Sequence, residues 1–369
     1  MTTPLASIIG SGFLVLGPIL TSSYGKYAPL VMAALCLGAY LYGAAIRYNI
    51  WATHANGGIR GRVSHTLETV ASWFLGFAYI VSVAYYLNLF GAFGVSLTSV
   101  NDQTHAKLLT SAIFCIILIV GWRRGFKALE GMEYVTVTLK LAIIMGLIIG
   151  LLVYFSNKAS NGHLVHNPAE LTGWPAVTLA FGLIVTVQGF ETSRYLTAEY
   201  DSKVRIRSMR WAQFVSSAIY MAYILLLAYV FERNQIKLSE TAIIEMMGLV
   251  APILPVLLVA AALAAQFSAA VADTSGSGGL INELTNNRVS PRMAYALLTF
   301  TGLVLTWSAN IFEIITLASR AFALYYALQA AIAAATAWHQ PDQKKRFFLF
   351  AGLVLLGIAI VLFGKSVEG

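Results

Sequence analysis

Val187-Gln188-Gly189-Phe190-Glu191-Thr192-Ser193-Arg194 interrupts an apolar run that begins at Trp174. Gln188, Glu191 and Arg194 fall where a membrane-spanning helix would lie in hydrocarbon. Polar side chains at that depth are costly and face a cavity or a partner. Gly189 has no Cβ and lets the backbone leave helical geometry. The stretch reads as a helix broken at mid-membrane, with backbone groups exposed to a solute.

The rest of the chain supports a membrane setting. Of its 369 residues 58% are hydrophobic and 11% charged, against about 25% charged in soluble domains. Mean hydropathy is +0.74. Apolar runs fall at 4–22, 28–47, 67–97, 106–122, 132–155, 174–198, 209–231, 249–284, 292–308, 310–337 and 346–364. Each can cross about 30 Å of hydrocarbon as a helix. None alternates apolar with polar as a barrel strand does. The fold class expected is an all-α polytopic membrane protein with about 11 transmembrane helices. Cys36 and Cys115 lie inside apolar runs and read as buried small residues, not a disulfide framework.

The net charge of +8 sits between the runs. With a cytoplasmic N-terminus, the inner loops hold clusters such as Arg60 and Arg62, Arg123 and Arg124, and Lys344 to Arg346. The outer side holds isolated cations such as Lys26 and Lys158. This asymmetry orients the spans, and anionic lipid explains the basic loops without nucleic acid. No cleavable leader is expected. Only about 13 Å of helix precedes Gly10, so the first half-span would barely reach the interface.

A second interruption, Ile8-Ile9-Gly10-Ser11-Gly12-Phe13, lies five spans before the first. Alone, Gly10-Ser11-Gly12 also fits close helix packing. Two glycine breaks an odd number of spans apart cross in opposite directions, as in an inverted repeat of five helices plus five. The repeats would be 1–155 and 174–337, with 346–364 an additional helix. Half-helix N-termini suit a carboxylate. Exposed carbonyls suit an ammonium or cation. The expected substrate contacts are Ile8, Ile9, Ser11, Gly12, Val187, Gln188, Gly189 and Phe190, with Gln188 reading polar solutes.

Ser7-Ile8-Ile9-Gly10-Ser11-Gly12-Phe13 resembles the first-helix signature of the APC (amino acid–polyamine–organocation) superfamily. Gly189-Phe190-Glu191, then Ala198-Glu199-Tyr200 and the basic stretch to Arg210, resembles its sixth helix and following loop. Thr138-Leu139-Lys140-Leu141 resembles its fifth. The chain departs in having eleven runs where twelve are usual. The resemblance implies a LeuT-type fold with discontinuous helices 1 and 6, in which helices 1, 2, 6 and 7 rock against the rest. It implies that a helix 3 aromatic, Tyr85 or Tyr86, covers the substrate, and that Phe190 closes the outer path. It also implies that Lys140 stands where sodium sits in sodium-coupled relatives, loading and unloading a proton; from the residues alone, a side chain that snorkels to the cytoplasmic interface is the alternative.

Other intramembrane charges remain open between roles. Glu191 is either a proton site or the ion-pair partner of Arg194, three residues on. Asp273 precedes Thr274-Ser275-Gly276-Ser277-Gly278-Gly279, a run able to approach helix 1; its own role is proton coupling or none. Arg320 and Glu313, two turns apart, are expected to form a buried structural pair with each other or with Glu191 or Asp273, the alternative being that Arg320 binds an anionic substrate. The histidines lie near loops with no third ligand by His163 and His166, so no metal is expected. No P-loop or hydrolase motif occurs, so neither catalysis nor a cofactor is expected.

The reading is a secondary transporter of an amino acid or related small amine, proton-coupled or exchanging, in the inner membrane of a bacterium. An inorganic cation transporter on the same scaffold and a non-transporting solute sensor are the rival readings.

Overall fold

In hydrocarbon a backbone must satisfy its own hydrogen bonds, so long apolar runs fold as helices. The computed structural model describes residues 2–10, 12–55, 62–124, 127–195, 200–236 and 238–366, and among these no strand occurs. Helices α1 (Thr2–Ile8) and α2 (Gly12–Tyr24) flank the first glycine break. The long helices α3 (Ala28–Ala55), α4 (Arg62–Val95), α5 (Gln103–Arg124) and α6 (Lys127–Ser160) follow. Next come α7 (Gly173–Gly182), a tight 3-10 turn at Ile184–Val187, and α8 (Thr192–Tyr195). The remainder comprises α9 (Ser202–Ala228), α10 (Ala242–Val250), α11 (Leu254–Leu284), α12 (Pro291–Ser308), α13 (Ile311–Trp338) and α14 (Lys344–Phe363).

Local chemistry sets the ends. Asp201 caps α9 by accepting from the Val204 N–H at 2.7 Å. Ser290 caps α12 ahead of Pro291, whose missing N–H is harmless at that position. The long span expected at 249–284 is present as α11, with only Leu249 and Val250 at its start belonging to the separate short helix α10. Pro252 cannot donate, and Ala251 before it is extended (φ −160°, ψ 139°), so α10 stops and α11 starts afresh at Leu254.

Among the described residues eight stretches are long and apolar enough to cross a bilayer, one of which, Gly12–His54, contains both α2 and α3. The protein is a polytopic membrane protein. In the most apolar window of each, α4 is 78% buried and α13 67%, whereas α5, α6 and α14 are 22% buried. Helices α4 and α13 therefore form the centre and the other three the rim. Rim residues such as Leu108, Ile119, Ile149, Leu355 and Leu362 are exposed, and Cys115 is on the rim too, not buried as expected. Acyl chains suit such a surface. Within it, attraction comes from packing and hydrogen bonds rather than water exclusion.

The connection between α6 and α7 closes one end of the bundle. The Asn167 side chain donates to Phe231 O, and the Asn167 carbonyl accepts from Lys26 N–H. Ser23 O accepts from both Glu170 and Leu171 N–H, which answers a carbonyl left open at the end of α2.

Candidate functional site

The two breaks meet. Gly189 has φ +112°, a conformation that favours glycine, and a Cβ there would lie 2.6 Å from the Ser7 carbonyl carbon. A Cβ on Gly12 would lie 2.6 Å from Thr186 Cα. The absence of side chains at these two positions lets the backbones touch. Ser319 of α13 bridges the second break: its hydroxyl donates to Gly182 O at 2.6 Å and accepts from Val185 N–H at 3.2 Å. Ser11 lies outside the described residues.

Backbone groups freed by the breaks are answered by the protein's own side chains. On the carbonyl side, the Tyr220 hydroxyl of α9 reaches Thr186 O at 2.7 Å and Ile8 O at 3.2 Å. Beside it, Ile8, Val187, Gln213 and Ser216 line a cavity of about 10 Å³, about the space of one water. On the amide side, Glu191 Oε2 accepts from Gly189 N–H at 3.0 Å and from the Tyr326 hydroxyl at 3.0 Å. Glu191 is 0% exposed, and its Oε1 has no hydrogen-bond partner among the described residues.

Helices α4, α11 and α13 wall this centre. Gln188 Nε2 donates to the Tyr86 hydroxyl at 2.6 Å, while Gln188 Oε1 lacks a partner among the described residues. Tyr85 is buried next to Tyr86, ring centroids 5.3 Å apart. The Ser82 hydroxyl donates to Asp273. Phe190 stacks on Tyr326 at 5.1 Å, and Tyr326 stacks on Tyr42 at 5.3 Å. In this arrangement the break backbones are closed by the protein's own carboxylate and phenols, with room for about one water beside Tyr220.

Three expected placements differ. Arg194 pairs with Glu68 of α4, not with Glu191: Nε to Oε1 is 3.0 Å and Nη2 to Oε2 is 2.6 Å. The i, i+3 rule needs continuous helix, and the turn at Gly189 sends Glu191 inward. Glu313 and Arg320 do not pair. Glu313 closes a capping box with Asn310 at the start of α13, and Arg320 donates to Gly364 O at 2.6 Å, at the carbonyl end of α14 where a cation is favoured. The Gly/Ser run packs elsewhere than on the first helix: Gly276 faces the Tyr79 ring and Gly278 the Tyr295 ring. Lys140 is enclosed in α6 at 1% exposure and does not snorkel to the surface.

The Arg194–Glu68 fork is largely buried, with 5% and 19% of the side chains exposed. A double-mutant cycle with Arg194→Ala and Glu68→Ala should return a coupling of about 1–3 kcal/mol in unfolding free energy. Coupling near zero would remove the pair as a tie between α8 and α4.

Sequence reasoning missed Tyr220, Tyr326, Ser319 and Glu68. The available signal for the tyrosines was that a buried phenol needs a hydrogen-bond partner; nothing local named the partner.

Comparison with known proteins agrees with this architecture. An uncharacterized protein of Aquifex aeolicus (strain VF5) is 44% identical over 375 residues, spanning 99% of this chain and 90% of that one. A family model described as an APC superfamily transporter matches residues 1–364. With the match running through both breaks and nearly the whole chain, the protein belongs to the APC superfamily of transporters.

Proposed function

We propose that the protein is a secondary active transporter of amino acids or related small amines, proton-coupled or exchanging, that works by alternating access. In this reading eleven crossings form a LeuT-type 5+5 inverted repeat, 1–155 and 174–337, with 346–364 added. The N-terminus is cytoplasmic and the membrane is a bacterial inner membrane.

One observation carries the proposal: each side of the crossed breaks holds a surrogate for part of a zwitterion. The Tyr220 hydroxyl stands where a substrate amine would meet Ile8 O and Thr186 O. The Glu191 carboxylate stands where a substrate carboxylate would meet Gly189 N–H. An ionised Glu191 repels an incoming carboxylate; protonation removes that charge and loosens its hold on the amide. Proton and substrate then enter together, which is symport. Lys140 and Asp273 are the further proton-coupling residues, and Gln188, Tyr85, Tyr86 and Phe190 complete the substrate site.

A screen of solutes by thermal stabilisation at two pH values, followed by uptake into proteoliposomes, tests this. Amino acids or amines should raise the unfolding midpoint more at the lower pH and should be taken up. Stabilisation by inorganic cations alone would favour the second reading, in which Glu191 and Asp273 are cation ligands. Acid-driven uptake unchanged in Lys140→Ala would remove Lys140 from the proton path.

A further inference from the structure

We propose that a cavity between α3, α9 and α14 binds the phosphate headgroup of an anionic lipid. The cavity measures about 620 Å³ and lies away from the crossed breaks. Arg47 of α3, Arg210 of α9 and Arg346 of α14 line it, and among the described residues no carboxylate does. Three guanidinium groups converging without an acid call for an anion, and arginine suits phosphate because its planar fork donates two parallel bonds.

Arg47 is 6% exposed and is held in place. Its guanidinium donates to Gln213 Oε1 and, at 3.3 Å, to Tyr40 O. Two of its five N–H groups are thus engaged, and the others can serve a ligand. Arg346 lies 5.5 Å over the Tyr48 ring, which packs on Phe350 at 5.2 Å. A lipid is favoured over a soluble anion because exposed apolar surface adjoins the cavity: Leu349 lines it, and Leu355 lies further along α14. Trp51, 43% exposed, is the amphipathic ring found at headgroup level. Basic pockets between helix ends are suited to such lipids.

One side chain, Gln213, links the cavity to the transport centre. Gln213, held by Arg47, donates to Ala39 O at 2.7 Å and lines the small cavity beside Tyr220. A bound headgroup would fix α3 and α9 relative to α14.

The test uses the full chain in detergent, with phosphatidylglycerol, phosphatidylcholine or inorganic phosphate added. Phosphatidylglycerol should raise the unfolding midpoint by a few degrees; phosphatidylcholine and phosphate should not. The rise should vanish in R210Q/R346Q and persist in K344Q/K345Q, which removes equal charge outside the cavity. Native mass spectrometry of the single variant R210Q gives a second measure, with fewer retained phosphatidylglycerol molecules expected. Equal loss in both double variants, no response to phosphatidylglycerol, or an equal response to phosphate alone would each overturn the proposal.

Discussion

Gly189→Ala should abolish uptake. Gly189 has φ +112°, and an added Cβ would lie 2.6 Å from backbone of Ser7 and 2.8 Å from Ile8 N. Neither clash can be relieved by rotating a side chain. The strain of such a conformation in an L residue is about 1–3 kcal/mol, and overlap with the first break adds to it. At about 1.4 kcal/mol per factor of ten, the crossed arrangement should lose roughly 100-fold or more in population. Proteoliposome uptake and thermal stability are the measurements. Gly146→Ala is the control, because nothing lies within 4 Å of a Cβ there. Uptake by Gly189→Ala equal to that of the control would show that the contact between breaks is dispensable.

Glu191→Gln should separate binding from proton coupling. The amide oxygen can still accept from Gly189 N–H and the Tyr326 hydroxyl, which now meet Oε2. The amide cannot carry a proton in the same range. Uphill uptake driven by a pH gradient should fall by more than about tenfold, while solute exchange without a gradient continues. Gradient-driven accumulation equal to that of the parent would exclude Glu191 as the proton carrier; loss of exchange as well would assign it to binding.

The breaks were legible because glycine and buried polar residues in apolar runs are local signals. Their closure was not. Tyr220 meets Ile8 across a separation of 212 residues, and no periodicity announces such a contact. Where local rules failed, backbone geometry explains it. Glu191 and Arg194 have helical spacing without continuous helix between the break and Arg194. Glu313 and Arg320 have helical spacing within α13, but Glu313 caps the first turn and Arg320 caps another helix. Pro252 delays the start of the span expected at 249–284 to Leu254, and most of the short α10 before it falls outside every expected span.

Tyr220 leaves the carbonyl side short of hydrogen. One phenolic O–H faces two acceptors, Ile8 O and Thr186 O, so at any instant one is served poorly. A primary ammonium brings three N–H groups and can serve both at once. A quaternary ammonium brings none. On the proposed amine site, hydrogen count rather than charge would decide selection: in the solute screen, primary amines should stabilise the protein more than their trimethylated analogues of equal charge.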